Sequence, residues 1–250
     1  MRTLRIGLLY PTRDCGEDDF LAFARLLDPE ITVRFAYTEW GESVNRLPEL
    51  DARGKLDALR EVGEPGRLTA AAGQLAGFEP QVVSWACTSC SFLWGLDGAR
   101  HQATVLSELL GIPASSTSLA FAAAARALGV TRIGLGSVYG TEVTAAFVDF
   151  LAAAGVSTVH HVAMDASSDR ELATWDRARL LDLVADGDAA DAEAVLVPET
   201  ALHTADLIDE FETLAGKPVL TATQVTLWHA LRLLGRTPRG AGTGTLFSAG

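Results

Sequence analysis

Short apolar runs alternate with segments of helical length along nearly the whole chain, and that alternation narrows the possible folds more than any other feature. Runs at residues 4–10, 31–37, 81–86, 132–135, 157–163, 194–197 and 218–221 read as strands, several of them apolar on both faces. Strands of that kind, each followed by a helical segment, specify a parallel sheet covered by helices. The expected fold class is α/β. With 250 residues and a hydrophobic share of 48%, the chain has material for one large or two small domains around a sizeable core.

The chain also echoes itself. Gly111-Ile112-Pro113 leads through Thr117-Ser118-Leu119 to Ala127-Leu128-Gly129, and Gly216-Lys217-Pro218 leads through Thr221-Ala222-Thr223 to Leu233-Leu234-Gly235, with one residue of slippage. Each copy reads as a short strand, a hydroxyl-rich turn and an Ala/Leu helix. Arg5-Ile6-Gly7-Leu8 is likewise matched by Arg132-Ile133-Gly134-Leu135. Two similar halves related by a pseudo-twofold follow from this order. The second copy of the unit lies near the C-terminus and the first lies mid-chain, so the chain is expected to cross back. One lobe is expected to hold residues 1–113 and 220–250, the other residues 114–219. Thr117 or Ser118, and Thr223, are the expected helix N-caps, with Gly129 and Gly235 as C-terminal glycines. Residues 40–67 are polar and rich in Gly and Pro, a long loop with helical pieces that is either a lid or an exposed insertion.

Charge and cysteine usage exclude several classes of function. The formal net charge is −12, from 20 Lys plus Arg against 32 Asp plus Glu, and no basic cluster is present to hold a phosphate backbone. No nucleic-acid partner is expected. Apolar runs stay short of the roughly 18 residues a membrane helix needs, and the first residues lead into a strand pattern; no membrane partner and a cytoplasmic location are expected. The three cysteines, Cys15, Cys87 and Cys90, are an odd number and read as reduced thiols. Cys87 and Cys90 have a Cys-x-x-Cys spacing, but no second cysteine pair exists and the five histidines lack zinc-ligand spacing, so no metal is expected.

Two strand-like runs end in a reactive side chain followed by threonine. Val82-Val83-Ser84-Trp85-Ala86 runs into Cys87-Thr88, and Ala194-Val195-Leu196-Val197-Pro198 runs into Glu199-Thr200. Ligands of α/β sheets bind at the carboxyl ends of the strands, so these two ends are placed to aim a thiol and a carboxylate at one small molecule. Cys87 begins the turn into a helix from Ser89 or Gly95, where backbone N–H groups favour an anion, which predicts a nucleophilic thiol. Partial burial of Glu199 would raise its pKa and let it both donate and accept a proton. Thr88, Ser89 and Thr200 offer hydroxyls and N–H groups to substrate carboxylates, and Tyr139 offers a donor to a carboxylate or enediolate oxygen. The competing readings are a cysteine packed as a small hydrophobe, an exposed loop carboxylate, hydroxyls that only cap helices and a tyrosine lining the lobe interface.

At Cys87-Thr88-Ser89, followed by Gly111-Ile112-Pro113-Ala114-Ser115-Ser116-Thr117, the chain resembles the aspartate/glutamate racemase superfamily, and within it the maleate cis-trans isomerase and arylmalonate decarboxylase group. The similarity runs from Gly7 and Pro11 to Gln224, Leu227 and Trp228. This resemblance implies two pseudo-symmetric flavodoxin-like lobes with the active-site cleft between them. It also implies a small carboxylate substrate, no metal or organic cofactor, and a homodimer. In the isomerases and racemases of the group two cysteines face each other across the substrate; Cys87 matches the first, and Glu199 stands at the position of the second. The decarboxylases keep the second cysteine and lack the first, the reverse of the pattern here. Asp14, Tyr139 and Asp169 match substrate-binding positions of the isomerases, and Cys90 stands where a small residue is usual. The expectation is a cofactor-independent isomerase or racemase acting on a small carboxylate, with maleate-like cis-enedioates leading. Malonate-type decarboxylation in the same cleft and non-catalytic carboxylate binding are the alternatives.

Overall fold

The first sheet is built on β1 (Leu4–Tyr10), which pairs in parallel with β2 (Ile31–Tyr37) on one side and β3 (Val82–Trp85) on the other. β4 (Ala114–Ser116) adds to β3, giving the order β2-β1-β3-β4. The second sheet repeats this plan with β5 (Arg132–Ser137), β6 (Ser157–Ala163), β7 (Ala194–Val197) and β8 (Val219–Thr221), in the order β6-β5-β7-β8 and parallel throughout. The computed structural model describes residues 3–28, 30–40, 52–166 and 168–248. The expected α/β class and the two similar halves are both present.

Burial explains which strands sit where. β3 and β7 are buried along their whole length, as the apolar runs Val82-Val83 and Ala194-Val195-Leu196-Val197 require. β6 is an edge strand with mostly exposed or half-buried residues, which accounts for His160 and His161 in its sequence. The helices that cover the sheets are α1 (Glu17–Arg25), α2 (Ala52–Val62), α3 (Pro65–Ala72), α4 (Ser89–Phe92) and α5 (Gly95–Leu110) in the first half of the chain. They continue with α6 (Thr117–Leu128), α7 (Thr141–Ala153), α8 (Asp169–Leu172), α9 (Arg177–Gly187), α10 (Ile208–Ala215) and α11 (Ala222–Leu233). The stretch from residue 40 to 67 thus carries α2 and the start of α3, while residues 41–51 lie outside the described residues.

The two strand-turn-helix units differ from the sequence expectation in one respect. β4 and β8 run directly into α6 and α11, so the last extended residue of each strand is itself the cap. Ser116 accepts from the Leu119 N–H at 3.3 Å, and Thr221 forms a capping box with Gln224. The caps are therefore Ser116 and Thr221, not Thr117, Ser118 or Thr223. Freed from capping, Thr117 instead meets Thr226 Oγ1 at 2.8 Å, pinning α6 against α11. Gly129 and Gly235 do adopt the left-handed conformation that ends each unit.

β4 hydrogen-bonds to β3, so the first sheet extends past residue 113, and β8 places residues 219–221 in the second sheet. α11 then packs back onto α1, β3, β4 and α6. A chain of rings continues the core from one half into the other: Phe92 on α4 stands 5.8 Å from Tyr139 and 4.8 Å from Phe147 on α7, centroid to centroid, and Phe147 stands 5.8 Å from Phe121 on α6.

Close approach of α9 to β5 depends on two glycines. A Cβ on Gly134 would lie 2.2 Å from the Gly187 carbonyl oxygen, a backbone atom with no room to yield. Gly134→Ala should therefore lower stability by about 1–3 kcal/mol, as overpacking of a rigid contact does. Denaturant unfolding checks this, and unchanged stability would mean that α9 does not sit this close to the sheet.

Candidate active site

Because β3 and β7 occupy equivalent places in their sheets, the residues two positions beyond their ends emerge at equivalent points. These are Cys87 and Glu199. Both line a cavity of about 440 Å³ between the halves, together with Thr88, Ser89, Cys90, Tyr139, Asp169 and Thr200. Seven of the eight sequence candidates thus face one space. The eighth, Asp14, is not among its lining residues: it is exposed in the β1–α1 turn with φ 60°, where its N–H donates to Glu17 Oε1 at 3.0 Å. Thr12, two residues earlier, reaches the site instead, donating to Asp169 Oδ2 at 2.6 Å.

The Cys87 turn is locked from below by two serines that were not among the candidate site residues. Ser91 Oγ donates to the Cys87 carbonyl at 2.8 Å, and Ser118 Oγ donates to the Thr88 carbonyl at 2.9 Å. The two hydroxyls also meet each other. Ser89 Oγ stands 3.9 Å from the sulfurs of both Cys87 and Cys90. Thr88 is 1% exposed; its hydroxyl lies beside that of Tyr139 and has no hydrogen-bond partner of good geometry among the described residues. An orphaned hydroxyl in a cavity wall is a group prepared for a ligand.

Cys87 is 5% exposed, and burial pushes its thiol well above the ordinary value, with the neighbouring Cys90 and then Glu199 adding to the effect. The Cys90 N–H, at the start of the four-residue α4, offsets this only in part. The nucleophilic thiolate expected from a helix start is thus corrected: desolvation outweighs one short turn of N–H groups, and the resting sulfur keeps its proton.

Glu199 is 7% exposed with no cation against it. Burial raises its pKa to about 8, and the Asp169 carboxylate pushes in the same direction, against the Ala201 N–H, which donates to Oε1 at 2.8 Å. Asp169 is itself raised by burial. The peptide that carries Glu199 is held on both sides by tyrosines from opposite halves of the molecule. Tyr139 donates to the Pro198 carbonyl at 2.5 Å, and Tyr10, the last residue of β1, donates to the Thr200 carbonyl at 3.1 Å. Gly16 lies so close to that carbonyl that an added Cβ would be 2.1 Å from its oxygen. Tyr139 is therefore engaged with the Glu199 peptide in this state.

The remaining wall comes from α2 and its surroundings. Leu59 and Lys55 of α2, Trp40 and Val143 line the cavity, and none of them was among the sequence candidates. α2 is positioned by tertiary contacts: Arg60 Nε donates to the Leu93 carbonyl at 3.0 Å, Trp94 Nε1 to the Arg60 carbonyl at 3.1 Å, and Gln102 Nε2 to the Gly63 carbonyl at 2.7 Å. Away from the cavity, His203 bonds the Cys15 carbonyl and Asp18 at the seam between the halves, and half-buried His229 meets Ser115. Among the described residues no three metal-ligating side chains come together.

Residues 57–247 match the model of the arylmalonate decarboxylase family. The chain belongs to that family. Arylmalonate decarboxylase from Bordetella bronchiseptica is 31% identical to it over 169 residues, 66% of this chain and 70% of that protein. Two solved structures share the fold. One is the maleate isomerase Iso of Pseudomonas putida S16, a cysteine-to-alanine variant with maleate: 22% identity, TM-score 0.85, covering 99% of this chain and 98% of that one. The other is a Nocardia farcinica maleate cis-trans isomerase mutant with a covalently bound succinylcysteine intermediate: 19% identity, TM-score 0.83, covering 98% of each chain. Enzymes with two different names, decarboxylase and isomerase, thus resemble this chain, the isomerases in fold.

The double anchorage of the Glu199 peptide gives a direct check on the site's construction. Tyr10→Phe leaves the buried Thr200 carbonyl without its donor, at a cost of about 1–3 kcal/mol. Chemical denaturation should show that loss, and stability equal to the parent would mean that the Tyr10 hydroxyl does not hold this loop.

Proposed function

We propose that this member of the arylmalonate decarboxylase family is an isomerase that converts a small cis-enedioate of the maleate type without a cofactor, using Cys87 and Glu199. The observation that carries the reading is the meeting of these two groups, from the ends of β3 and β7, in one cavity. The covalent succinylcysteine of the Nocardia isomerase supports a sulfur adduct as the intermediate.

The reaction follows from the protonation states. At neutral pH Cys87 holds its proton, and a minor fraction of Glu199, with its pKa near 8, is ionised. In that form Glu199 takes the thiol proton as the sulfur bonds to one alkene carbon, and the carbon–carbon double bond becomes single. Glu199 passes the proton to the neighbouring carbon. Rotation about the new single bond follows. Glu199 then removes a proton from that carbon, the sulfur–carbon bond breaks, the double bond re-forms in the other geometry, and the proton returns to sulfur. Thr88, Ser89 and Thr200 receive substrate carboxylate oxygens, and Tyr139 and Asp169 complete the wall that holds them. In the racemase version, Cys87 and Glu199 flank one acidic C–H and exchange acid and base roles.

One observation favours a second reading. A buried, protonated thiol is suited to protonate the enediolate left when a malonate-type substrate loses carbon dioxide, and the Bordetella relative carries the decarboxylase name. The two readings ask for opposite ionisation of Glu199, and the pH profile separates them. As the base of the isomerase, Glu199 must be ionised, so kcat/KM for maleate should rise with pH through about 8. As a neutral hydrogen-bond donor in a decarboxylase, it should give a kcat/KM for malonates that falls above the same pH. Glu199→Gln should remove the rising limb and lower turnover by a factor on the order of 10² or more. NMR in deuterated water follows both substrates. Solvent deuterium in substrate and product supports the isomerase, release of carbon dioxide from a malonate with no change in maleate overturns it, and turnover of Glu199→Gln within a few-fold of the parent removes Glu199 from the mechanism.

A further inference from the structure

The cavity is unusually acidic for a site that takes an anion. Asp165, Asp169 and Glu199 all line it, and among the described lining residues the one cation is Lys55; Arg170, outside the lining, acts on Asp169. Lys55 lies on α2 four residues before Leu59, another lining residue, so the two are stacked on the helix face turned to the cavity. That face is held in place, since Arg60, Gly63 and Trp94 tie α2 to α4 and α5. Lys55 is exposed along its length and forms no ion pair with any described residue. Its ammonium is a strongly hydrated point charge on a flexible stem, and it is suited to reach a carboxylate at the cavity mouth.

The hydroxyls at the ends of β3 and β7 account for one carboxylate of a substrate. A dianion brings a second, into a space lined by three carboxyl side chains and, among the described lining residues, a single cation. We infer that Lys55 binds this second carboxylate and is a specificity-determining residue of the site, selecting substrates that keep both carboxylates through the reaction. The inference rests on the isomerase reading above and sharpens it. In an isomerisation both carboxylates remain charged from start to finish, so an ammonium on one of them favours binding without opposing the chemistry. In a decarboxylation one carboxylate sheds its charge as carbon dioxide leaves; an ammonium there stabilises the starting state more than the transition state and slows the reaction. Lys55 is thus matched to dicarboxylate isomerisation and mismatched to malonate breakdown.

The test compares the parent protein with Lys55→Met and Lys55→Arg. Calorimetric titration with succinate, an unreactive dicarboxylate, and with its monoamide succinamate reads binding alone. Steady-state kinetics with maleate reads turnover. Lys55→Met should weaken succinate by about tenfold or more, leave succinamate unchanged, and raise KM for maleate by a similar factor while kcat stays within a few-fold. Lys55→Arg should restore most of the succinate affinity, which excludes a folding defect as the cause. Equal succinate affinity in the parent and in Lys55→Met overturns the assignment, as does an equal loss for succinamate. Should the parent bind succinate through Lys55 and yet leave maleate untouched, the isomerase reading fails and the carboxylate-binding role of Lys55 stands.

Discussion

Burial of the Glu199 carboxyl without a cation is the constraint around which this molecule is organised. An isolated carboxylate in the protein interior is costly, so the group shifts its pKa to about 8 and keeps a proton at neutral pH. Such a group needs a rigid mount, and the fold supplies one from both halves: Tyr10 grips the carbonyl after it, Tyr139 the carbonyl before it, and the Ala201 N–H its own oxygen. The tight approach of Gly16 to Thr200 leaves the loop no slack. The interface between the halves is thereby also the wall of the active cavity.

Across the cavity, the Cys87 turn is mounted by the same kind of device, with serine hydroxyls in place of tyrosines. Ser91 and Ser118 hold the carbonyls of Cys87 and Thr88, and the Thr88 hydroxyl is left over, buried and unpaired. The fold therefore presents Cys87 and Glu199 at two equivalent strand ends facing one cavity. Here one end carries a thiol that burial keeps protonated, and the other a carboxyl group whose pKa burial raises to about 8.

Much of this was legible in the amino-acid order, and the failures have physical causes. Cys87 and Glu199 were visible because each follows a strand buried on both faces, and the position of a strand end is a local property. The short strand β4 was legible only through the repeat, since three residues are too few to show a period, whereas β8 already stood out as the run at 218–221. Ser116 and Thr221 displaced the expected caps because strand passes into helix with no intervening turn. Asp14 lies outside the cavity lining in the β1–α1 turn, where its backbone is left-handed, a conformation the sequence does not announce at a non-glycine residue. Lys55 and Leu59 were invisible because α2 reaches the cavity only through long-range contacts with Leu93, Trp94 and Gln102. The state of Cys87 was misread because the sequence shows the start of a helix and conceals the burial that outweighs it.

The central claim is that Cys87 and Glu199 act on the same molecule. A crystal structure of the protein with an unreactive small dicarboxylate bound tests it most directly. The account predicts the ligand's carbon chain between the Cys87 sulfur and the Glu199 carboxyl, with one carboxylate on the Thr88 hydroxyl. A ligand that touches only one of the two groups, or that binds outside this cavity, would contradict it.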